Sequence, residues 1–347
     1  MQPTLEKLSR VAPPDLWYRE PNGMIRCVAC AHRCKIPEGA DGICKVRGRR
    51  DDQLLIPWGY VAGLQADPIE KKPFFHAYPG STALSFGMLG CDLHCRYCQN
   101  WTTSQVGRDE KADGGPVRTS VDELVALAKR SGARTIVSTY NEPLITSEWA
   151  VEVFKHARAE GFATAYVSNG NATAEVLEFI RPYVDLYKVD LKGFDDKHYR
   201  ELGGKLESVT ESIRRVYSMG FWLEVVTLLI PQYNDSDDEL KKTADFLAGV
   251  SVEIPWHVTA FHADYKMRDR GGTPVSTLQR ATEIGKAAGL KYIYEGNAPG
   301  RVGEAENTRC GNCGRTVIER RGFRILRNRM TSSNCPECAL PIPGRWT

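Results

Sequence analysis

Three cysteines, Cys91, Cys95 and Cys98, stand at C-x3-C-x2-C spacing directly after an apolar, strand-like run from Thr82 to Leu89. Three thiolates on one short loop can hold three irons of a [4Fe-4S] cluster and leave the fourth iron without a protein ligand. Such an iron can bind a substrate or a cofactor, so the site can do chemistry, whereas a cluster closed by four ligands serves electron transfer. A structural metal site is the competing reading. It lacks a fourth ligand at a normal offset, because His94 lies between two of the cysteines, where the chain must turn tightly.

The remaining cysteines sharpen the picture. All eleven fall into three sets: Cys27, Cys30, Cys34 and Cys44; Cys91, Cys95 and Cys98; and Cys310, Cys313, Cys335 and Cys338. Cysteines used merely as small core residues would not group without remainder. The N-terminus has no apolar secretory segment, and no run approaches the roughly 20 apolar residues of a membrane span. A cytoplasmic location is therefore expected, where grouped cysteines bind metal or do redox work rather than pair as disulfides. A net charge of +3 on 347 residues is too small to argue for a nucleic-acid or membrane partner.

Composition and periodicity divide the chain into three domains. Residues 1–80 are rich in Pro, Gly and charge and read as an irregular, cysteine-rich N-terminal domain. Residues 81–300 alternate between strand and helix. Strands are expected at Leu84–Leu89, Thr135–Tyr140, Ala163–Asn169, Asp185–Leu191, Trp222–Ile230, Trp256–Phe261 and Lys291–Glu295. Helices are expected at Val121–Arg130, Trp149–Glu160, Ala172–Ile180, Ser208–Ser218, Asp237–Ala248 and Val275–Ala288, the first opened by a Ser120/Glu123 capping box. Regular alternation argues for an α/β fold of parallel strands with helical crossovers, as a doubly wound sheet or a partial (β/α)6-type barrel. Residues 301–347 return to short β-like pieces.

The outer cysteine sets read as metal-binding modules. Cys310-x2-Cys313-x21-Cys335-x2-Cys338 has the form of a zinc ribbon, with glycines flanking the first knuckle, although a single iron would accept the same geometry. Residues 301–347 carry nine arginines, no lysine and four acids, a local balance of +5. That bias suggests an anionic partner, nucleic acid or protein, or simply a soluble surface on a small module. Cys27-x2-Cys30-x3-Cys34-x9-Cys44 supplies four further thiolates, with His32 as a substitute ligand. Its spacing does not separate structural zinc from an auxiliary iron-sulfur cluster.

The C-x3-C-x2-C loop after a first strand resembles that of the radical S-adenosylmethionine (radical SAM) superfamily. The resemblance implies a partial TIM barrel and an enzyme, oxidoreductase-like, in which a reduced [4Fe-4S] cluster bound by Cys91, Cys95 and Cys98 cleaves S-adenosylmethionine. The resulting 5′-deoxyadenosyl radical abstracts hydrogen from a substrate. It also implies cofactor-binding roles. Thr139-Tyr140-Asn141-Glu142-Pro143 takes the place of a Gly-Gly-Glu motif, so Glu142, with Asn141, would meet the methionyl ammonium, though both glycines are replaced. Asn169, ending the third strand, would meet the ribose. Asp190 and Lys192 share one strand face, and Lys192 would pair with the methionyl carboxylate. His262 is a candidate substrate contact. Lys71–Lys72 is either a solvated charge run or an anion contact.

Asp67-Pro68-Ile69-Glu70-Lys71-Lys72-Pro73, Tyr78-Pro79-Gly80-Ser81, Cys98-Gln99-Asn100 and Gly296-Asn297-Ala298-Pro299-Gly300 extend the likeness. With them the chain resembles the AmmeMemoRadiSam system radical SAM enzymes, relatives of the pyruvate formate-lyase activating enzymes. That resemblance implies Memo-type and AMMECR-type companion proteins and a low-potential electron donor of flavodoxin or ferredoxin type. It admits a narrower activity, installation of a glycyl radical on a partner enzyme. A non-enzymatic metal-binding adaptor for nucleic acid or protein is the alternative of another class.

Overall fold

Alternating strands and helices demand parallel pairing, and the direction of winding then separates a barrel from a doubly wound sheet. In the computed structural model, which describes residues 3–346, eight strands form one sheet. They are β1 (Gly63–Pro68), β2 (Thr82–Gly87), β3 (Ala133–Ser138), β4 (Ala163–Ser168), β5 (Leu186–Asp190), β6 (Trp222–Leu229), β7 (Trp256–Ala260) and β8 (Ile293–Gly296). Their order across the sheet is the order of the chain. β1 and β2 are antiparallel, and every later neighbouring pair is parallel. Crossovers of one hand that always step to the next strand put the helices on one face. The sheet is therefore a partial barrel, since a doubly wound sheet requires the strand order to reverse. Among the described residues β1 and β8 do not pair with each other, so the barrel is open.

Six helices fill the crossovers: α1 (Val121–Arg130), α2 (Ser147–Ala159), α3 (Ala174–Ile180), α4 (Leu206–Ser218), α5 (Asp237–Val250) and α6 (Val275–Ala287). The expected capping box opens α1: Ser120 Oγ accepts from Glu123 N at 3.2 Å, and Glu123 Oε2 accepts from Ser120 N at 2.7 Å. Thr173 caps α3 and Ser236 caps α5 in the same way, each accepting from the third residue on. Val137, Ala165, Tyr166, Leu186, Tyr187, Val189, Val225 and Val258 are shielded from solvent, as strands covered on both faces must be.

Several elements escape the sequence pattern, among them β1 and one short helix. β1 lies upstream of residue 80, so the sheet begins before the break in composition. Its Gly-Leu-Gln-Ala-Asp-Pro sequence is half-exposed along its length, as an edge strand tolerates. A short helix, Asp196–Glu201, follows β5. No helix among the described residues is long and apolar enough to cross a membrane.

The N-terminal residues form two small three-stranded antiparallel sheets, and their apolar side chains, Leu16, Ile25, Leu54 and Ile56 among them, share one core with the barrel. A buried ion pair reinforces the contact. Arg47 donates through both terminal nitrogens to Glu148 on α2, each at 2.7 Å, and both side chains are only 1% exposed.

The C-terminal residues form a three-stranded antiparallel sheet, Thr308–Arg309, Thr316–Arg321 and Arg324–Asn328. It shares a core with the barrel through Phe75, Tyr292 and Tyr294. Between them lies the β1–β2 connection. Phe75 N and His76 N donate to the two oxygens of buried Glu224, each at 2.9 Å, and Glu224 also bonds His257 at 2.7 Å. From the other side, Arg320 donates to the Phe75 carbonyl at 2.7 Å and stacks on its ring at 4.4 Å. One of the nine tail arginines is thus buried in the interior, where no outside partner reaches it.

Removing Arg47 leaves Glu148 buried without its counter-charge. Arg47→Met is expected to cost about 3–5 kcal/mol in chemical denaturation, and the Arg47→Met/Glu148→Leu double variant about half of that or less, because both charges then leave together. Equal losses in the single and double variants would contradict the pairing.

Candidate active site

The cysteine loop starts at the C-terminal end of β2, the end of a parallel strand where barrels place reactive groups. Gly90 enters the loop at φ +88°, and a Cβ there would lie 2.7 Å from Val46 and 2.9 Å from the Cys44 carbonyl. The N-terminal module therefore presses directly on the loop, and only glycine fits the contact. Cys91, Cys95 and Cys98 all line one cavity of about 100 Å³, together with Asn141 and Glu142 from the end of β3. Asn169, Asp190 and Lys192, from the ends of β4 and β5, complete the same lining. Eight residues singled out in the sequence thus converge on one place.

Their hydrogen bonds explain the convergence. After β3 the backbone makes a tight turn, Asn141 N donating to the Thr139 carbonyl at 2.9 Å around Tyr140 at φ +70°. A γ-turn of this sign is rare and strained, and a non-glycine residue there costs on the order of 1–3 kcal/mol. Room for the tyrosine comes from two glycines elsewhere. Gly63 and Gly87 face each other across β1 and β2. A Cβ on Gly63 would lie 2.9 Å from the Tyr140 ring, and one on Gly87 2.5 Å from the Thr139 carbonyl and 2.8 Å from Tyr140 Cβ. The turn delivers Asn141 Oδ1 to Met88 N at 2.9 Å, tying β3 to the start of the cysteine loop.

Glu142 follows at the start of a short helical turn, Pro143–Thr146. Its Oε1 accepts from Leu144 N at 3.1 Å and from Ser168 Oγ at 2.7 Å, and its Oε2 accepts from Asn169 N at 2.7 Å. Burial, with the charge of Asp92 facing it, pushes Glu142 up to about 8 in spite of these donors. Asp92, fully buried and next to Cys91, was not anticipated from the sequence. It accepts from Asn169 Nδ2 at 2.7 Å and from Asn171 Nδ2 at 2.8 Å. The sequence signal was its place inside the cysteine loop together with the Asn169-Gly170-Asn171 pair.

Burial raises all three loop thiols. Cys95 reaches about 11, with Lys192 pulling against that rise, and Cys98 is partly relieved by Ser104 Oγ at 3.2 Å. A metal that takes these sulfurs as thiolates therefore releases protons on binding. Asp190 stays below the ordinary carboxylate range: burial opposes its charge, but the Lys188 and Lys192 ammoniums overcome it. Lys188, also unanticipated, lies two residues before Asp190 on the same strand face and donates to Asp190 Oδ1 at 2.5 Å.

The other candidates lie apart. His262 is exposed, bonds Gln99 at 2.9 Å, and lines neither this cavity nor its neighbour. His94 packs against Gly203, where a Cβ would lie 2.4 Å from the ring. His32 meets the Asp92 carbonyl at 3.0 Å, a contact from the N-terminal module to the loop. Of the N-terminal set, Cys27, Cys30 and Cys44 are buried and Cys34 half-buried, and burial pushes Cys44 up to about 12. Cys310, Cys313, Cys335 and Cys338 hold their sulfurs within 4.8 Å of one another, with Cys310–Cys338 at 3.6 Å and Cys313–Cys335 at 3.8 Å. That spacing suits four ligands around one ion.

The family model of the radical SAM superfamily matches residues 87–247. The uncharacterized protein MJ0808 of Methanocaldococcus jannaschii is 37% identical over 323 residues, covering 92% of this chain and 95% of that one. The pyruvate formate-lyase-activating enzyme of Clostridium pasteurianum is 26% identical over 209 residues, 55% of this chain and 84% of that one. A crystal structure of a radical SAM methyltransferase from Sphaerobacter thermophilus aligns at a TM-score of 0.48 with 20% identity, covering 69% of this chain and 71% of that one.

A methyl group at position 87 would collide with backbone. Gly87→Ala is expected to lower stability by about 1–3 kcal/mol in denaturant titration, and Tyr140→Gly on top of it to recover part of the loss by emptying the space. No recovery would mean that the tyrosine does not depend on the paired glycines.

Proposed function

The chain belongs to the radical SAM superfamily, whose members are enzymes, and on that premise we propose that it cleaves S-adenosylmethionine reductively to abstract hydrogen from a substrate. The observation that carries this reading is the convergence of three loop thiols with Glu142, Asn169, Asp190 and Lys192 on one cavity at the mouth of the barrel. The residues present fit the superfamily's two groups. Cys91, Cys95 and Cys98 offer three soft ligands and no fourth, and the carboxylates, amide and ammonium around them complement an amino acid and a ribose. When bound and reduced, the cluster supplies one electron to the sulfonium, whose carbon–sulfur bond breaks to methionine and a 5′-deoxyadenosyl radical.

The protein's part is to bind, orient and exclude water. Glu142 takes the methionyl ammonium. Its elevated pKa means that a cation arriving beside it also draws off its proton, and Ser168, Leu144 and Asn169 fix its orientation beforehand. Asn141 fixes the loop to the β3 turn, and Asn169, its amide held by Asp92 and Asn171, lines the cavity where the ribose is expected. Lys192, whose charge is favoured by Cys95 and Asp190 against the cost of burial, pairs with the methionyl carboxylate. The reducing electron comes from a low-potential donor of flavodoxin or ferredoxin type. The C-terminal cysteines hold zinc: at a Zn–S distance of about 2.3 Å the edge of a sulfur tetrahedron is about 3.8 Å, close to the two sulfur separations given above.

The likeness to a pyruvate formate-lyase-activating enzyme supports a second, narrower reading, hydrogen abstraction from a glycine of a partner enzyme. Deuterium transfer into 5′-deoxyadenosine from a labelled partner would select it, and transfer from a small molecule would exclude it.

Anaerobic protein, reduced and given S-adenosylmethionine, is expected to form 5′-deoxyadenosine; an intact cluster without product would overturn the proposal. Cys95→Ala should abolish product while leaving bound zinc near the wild-type amount, and loss of both together would mean that the modules are misassigned. Glu142→Gln should weaken S-adenosylmethionine binding at least tenfold with the cluster's absorbance unchanged, which loses a charge-assisted contact and little else. Unchanged affinity would remove Glu142 from the site.

A further inference from the structure

Beside the inner cavity lies a second of about 320 Å³, sharing Cys95, Cys98, Tyr140, Asp190 and Lys192 with it and reaching across the barrel lumen to β6 and β7. Its volume is that of a site for a small organic molecule. Four lysines line it, Lys71, Lys72, Lys188 and Lys192, and the only carboxylate in the lining is Asp190. Lys72 and Lys188 are 4% and 5% exposed. A lysine is seldom buried to that degree unless its charge is matched.

The match is incomplete. Asp67 serves two lysines, with Oδ1 at 2.9 Å from Lys71 and Oδ2 at 3.2 Å from Lys72. Asp190 likewise serves two, Lys188 and Lys192. Lys71 is half-exposed and served by water as well, so three buried ammoniums, Lys72, Lys188 and Lys192, share the two carboxylates. Lys192 stands beside Cys95, so metal-bound thiolates account for one excess charge. Lys72 and Lys188 are left with one carboxylate each, and each carboxylate is divided with a second lysine. Burial, set against the help of Asp67 and joined by repulsion from Lys71 and Lys188, holds Lys72 below its ordinary value. Tyr140 completes the group: Lys72 Nζ donates to its hydroxyl at 3.0 Å, so the phenolic proton is not spent on Lys72. Two buried ammoniums on divided carboxylates, facing a cavity beside a hydroxyl, are the chemistry of an oxyanion site.

We propose that the substrate of this enzyme carries an oxyanion, a carboxylate or a phosphate, and that Lys72 and Lys188 with the Tyr140 hydroxyl bind it in the outer cavity. The proposal rests on the radical SAM reading for the word substrate, and on the lysine geometry alone for the site. It places the anionic end of the molecule in the lumen, with the rest extending toward the shared wall where the radical is generated. A backbone glycine of a protein partner offers no such group, so the site favours an anionic small molecule.

Cluster-loaded protein is titrated calorimetrically with inorganic phosphate and, separately, with succinate, each with and without S-adenosylmethionine. One of the two anions is expected to bind in the presence of the cofactor, and the better one identifies the class. Lys72→Met should weaken that anion at least tenfold, Lys72→Arg much less. Asp67→Asn, which frees the lysines, should tighten it. Opposite signs cannot come from general damage to the fold. Neither anion binding while the cofactor binds would overturn the oxyanion site alone. Displacement of the anion by the cofactor would assign the lysines to the methionyl carboxylate and overturn it too. An anion bound where the cofactor does not bind would uphold the site and fell the radical reading instead.

Discussion

A pair of buried carboxylates, tied together by one asparagine, holds the ends of three strands in register at the mouth of this barrel. Glu142 stands after β3, Asp92 in the loop after β2, and Asn169 after β4. The backbone N–H of Asn169 goes to Glu142 and its side-chain amide to Asp92. Each carboxylate would be costly to bury alone. Together they make the loop's position relative to the neighbouring strand ends a condition of satisfying the hydrogen bonds. The cysteine loop is thereby placed by polar contacts on the barrel side and by Gly90 packing on the N-terminal module at its back. Burying Glu142 beside a like charge raises its pKa, and an incoming ammonium relieves that conflict.

The N-terminal module meets the barrel at the cysteine loop, and a separate segment links the C-terminal module to the lumen. The β1–β2 connection carries Glu70, 3.8 Å from Arg320 of the C-terminal module, and two residues later Lys72, which reaches Tyr140 beside the active site. Phe75 and His76 in the same segment are clamped between Glu224 and the tail. The C-terminal sheet thus anchors the segment that brings Lys72 into the lumen. The tyrosine it meets sits at a strained turn that a Gly-Gly pair would make without cost, and the space that pair would provide comes instead from Gly63 and Gly87.

The seven strands β2–β8 and the six crossover helices were legible in the sequence because parallel strands are continuous apolar runs and helices carry capping signals. β1 was not: Gly63–Pro68 is a polar edge strand with no buried face to mark it. The choice between barrel and doubly wound sheet was not legible either, because strand order is a tertiary property. At the site, the cysteine spacing and the strand-end motifs pointed to residues that line one cavity. Asp92 was missed because its partners, Asn169 and Asn171, are distant in sequence, and Lys188 because a mid-strand lysine does not announce that it is buried facing the lumen. The exchange of turn glycines for strand glycines depends on the β1–β2 register, which composition does not reveal.

The central claim is that the loop cysteines hold a cluster with one iron left for the cofactor. Electron paramagnetic resonance of the reduced protein, recorded before and after addition of S-adenosylmethionine, tests it most directly. The account predicts a [4Fe-4S] signal whose g values and line shape shift when the cofactor binds, and a further change when the cofactor is labelled at its amine nitrogen or carboxylate oxygen. A signal indifferent to the cofactor, as from a cluster whose fourth iron already carries a protein ligand, would contradict it.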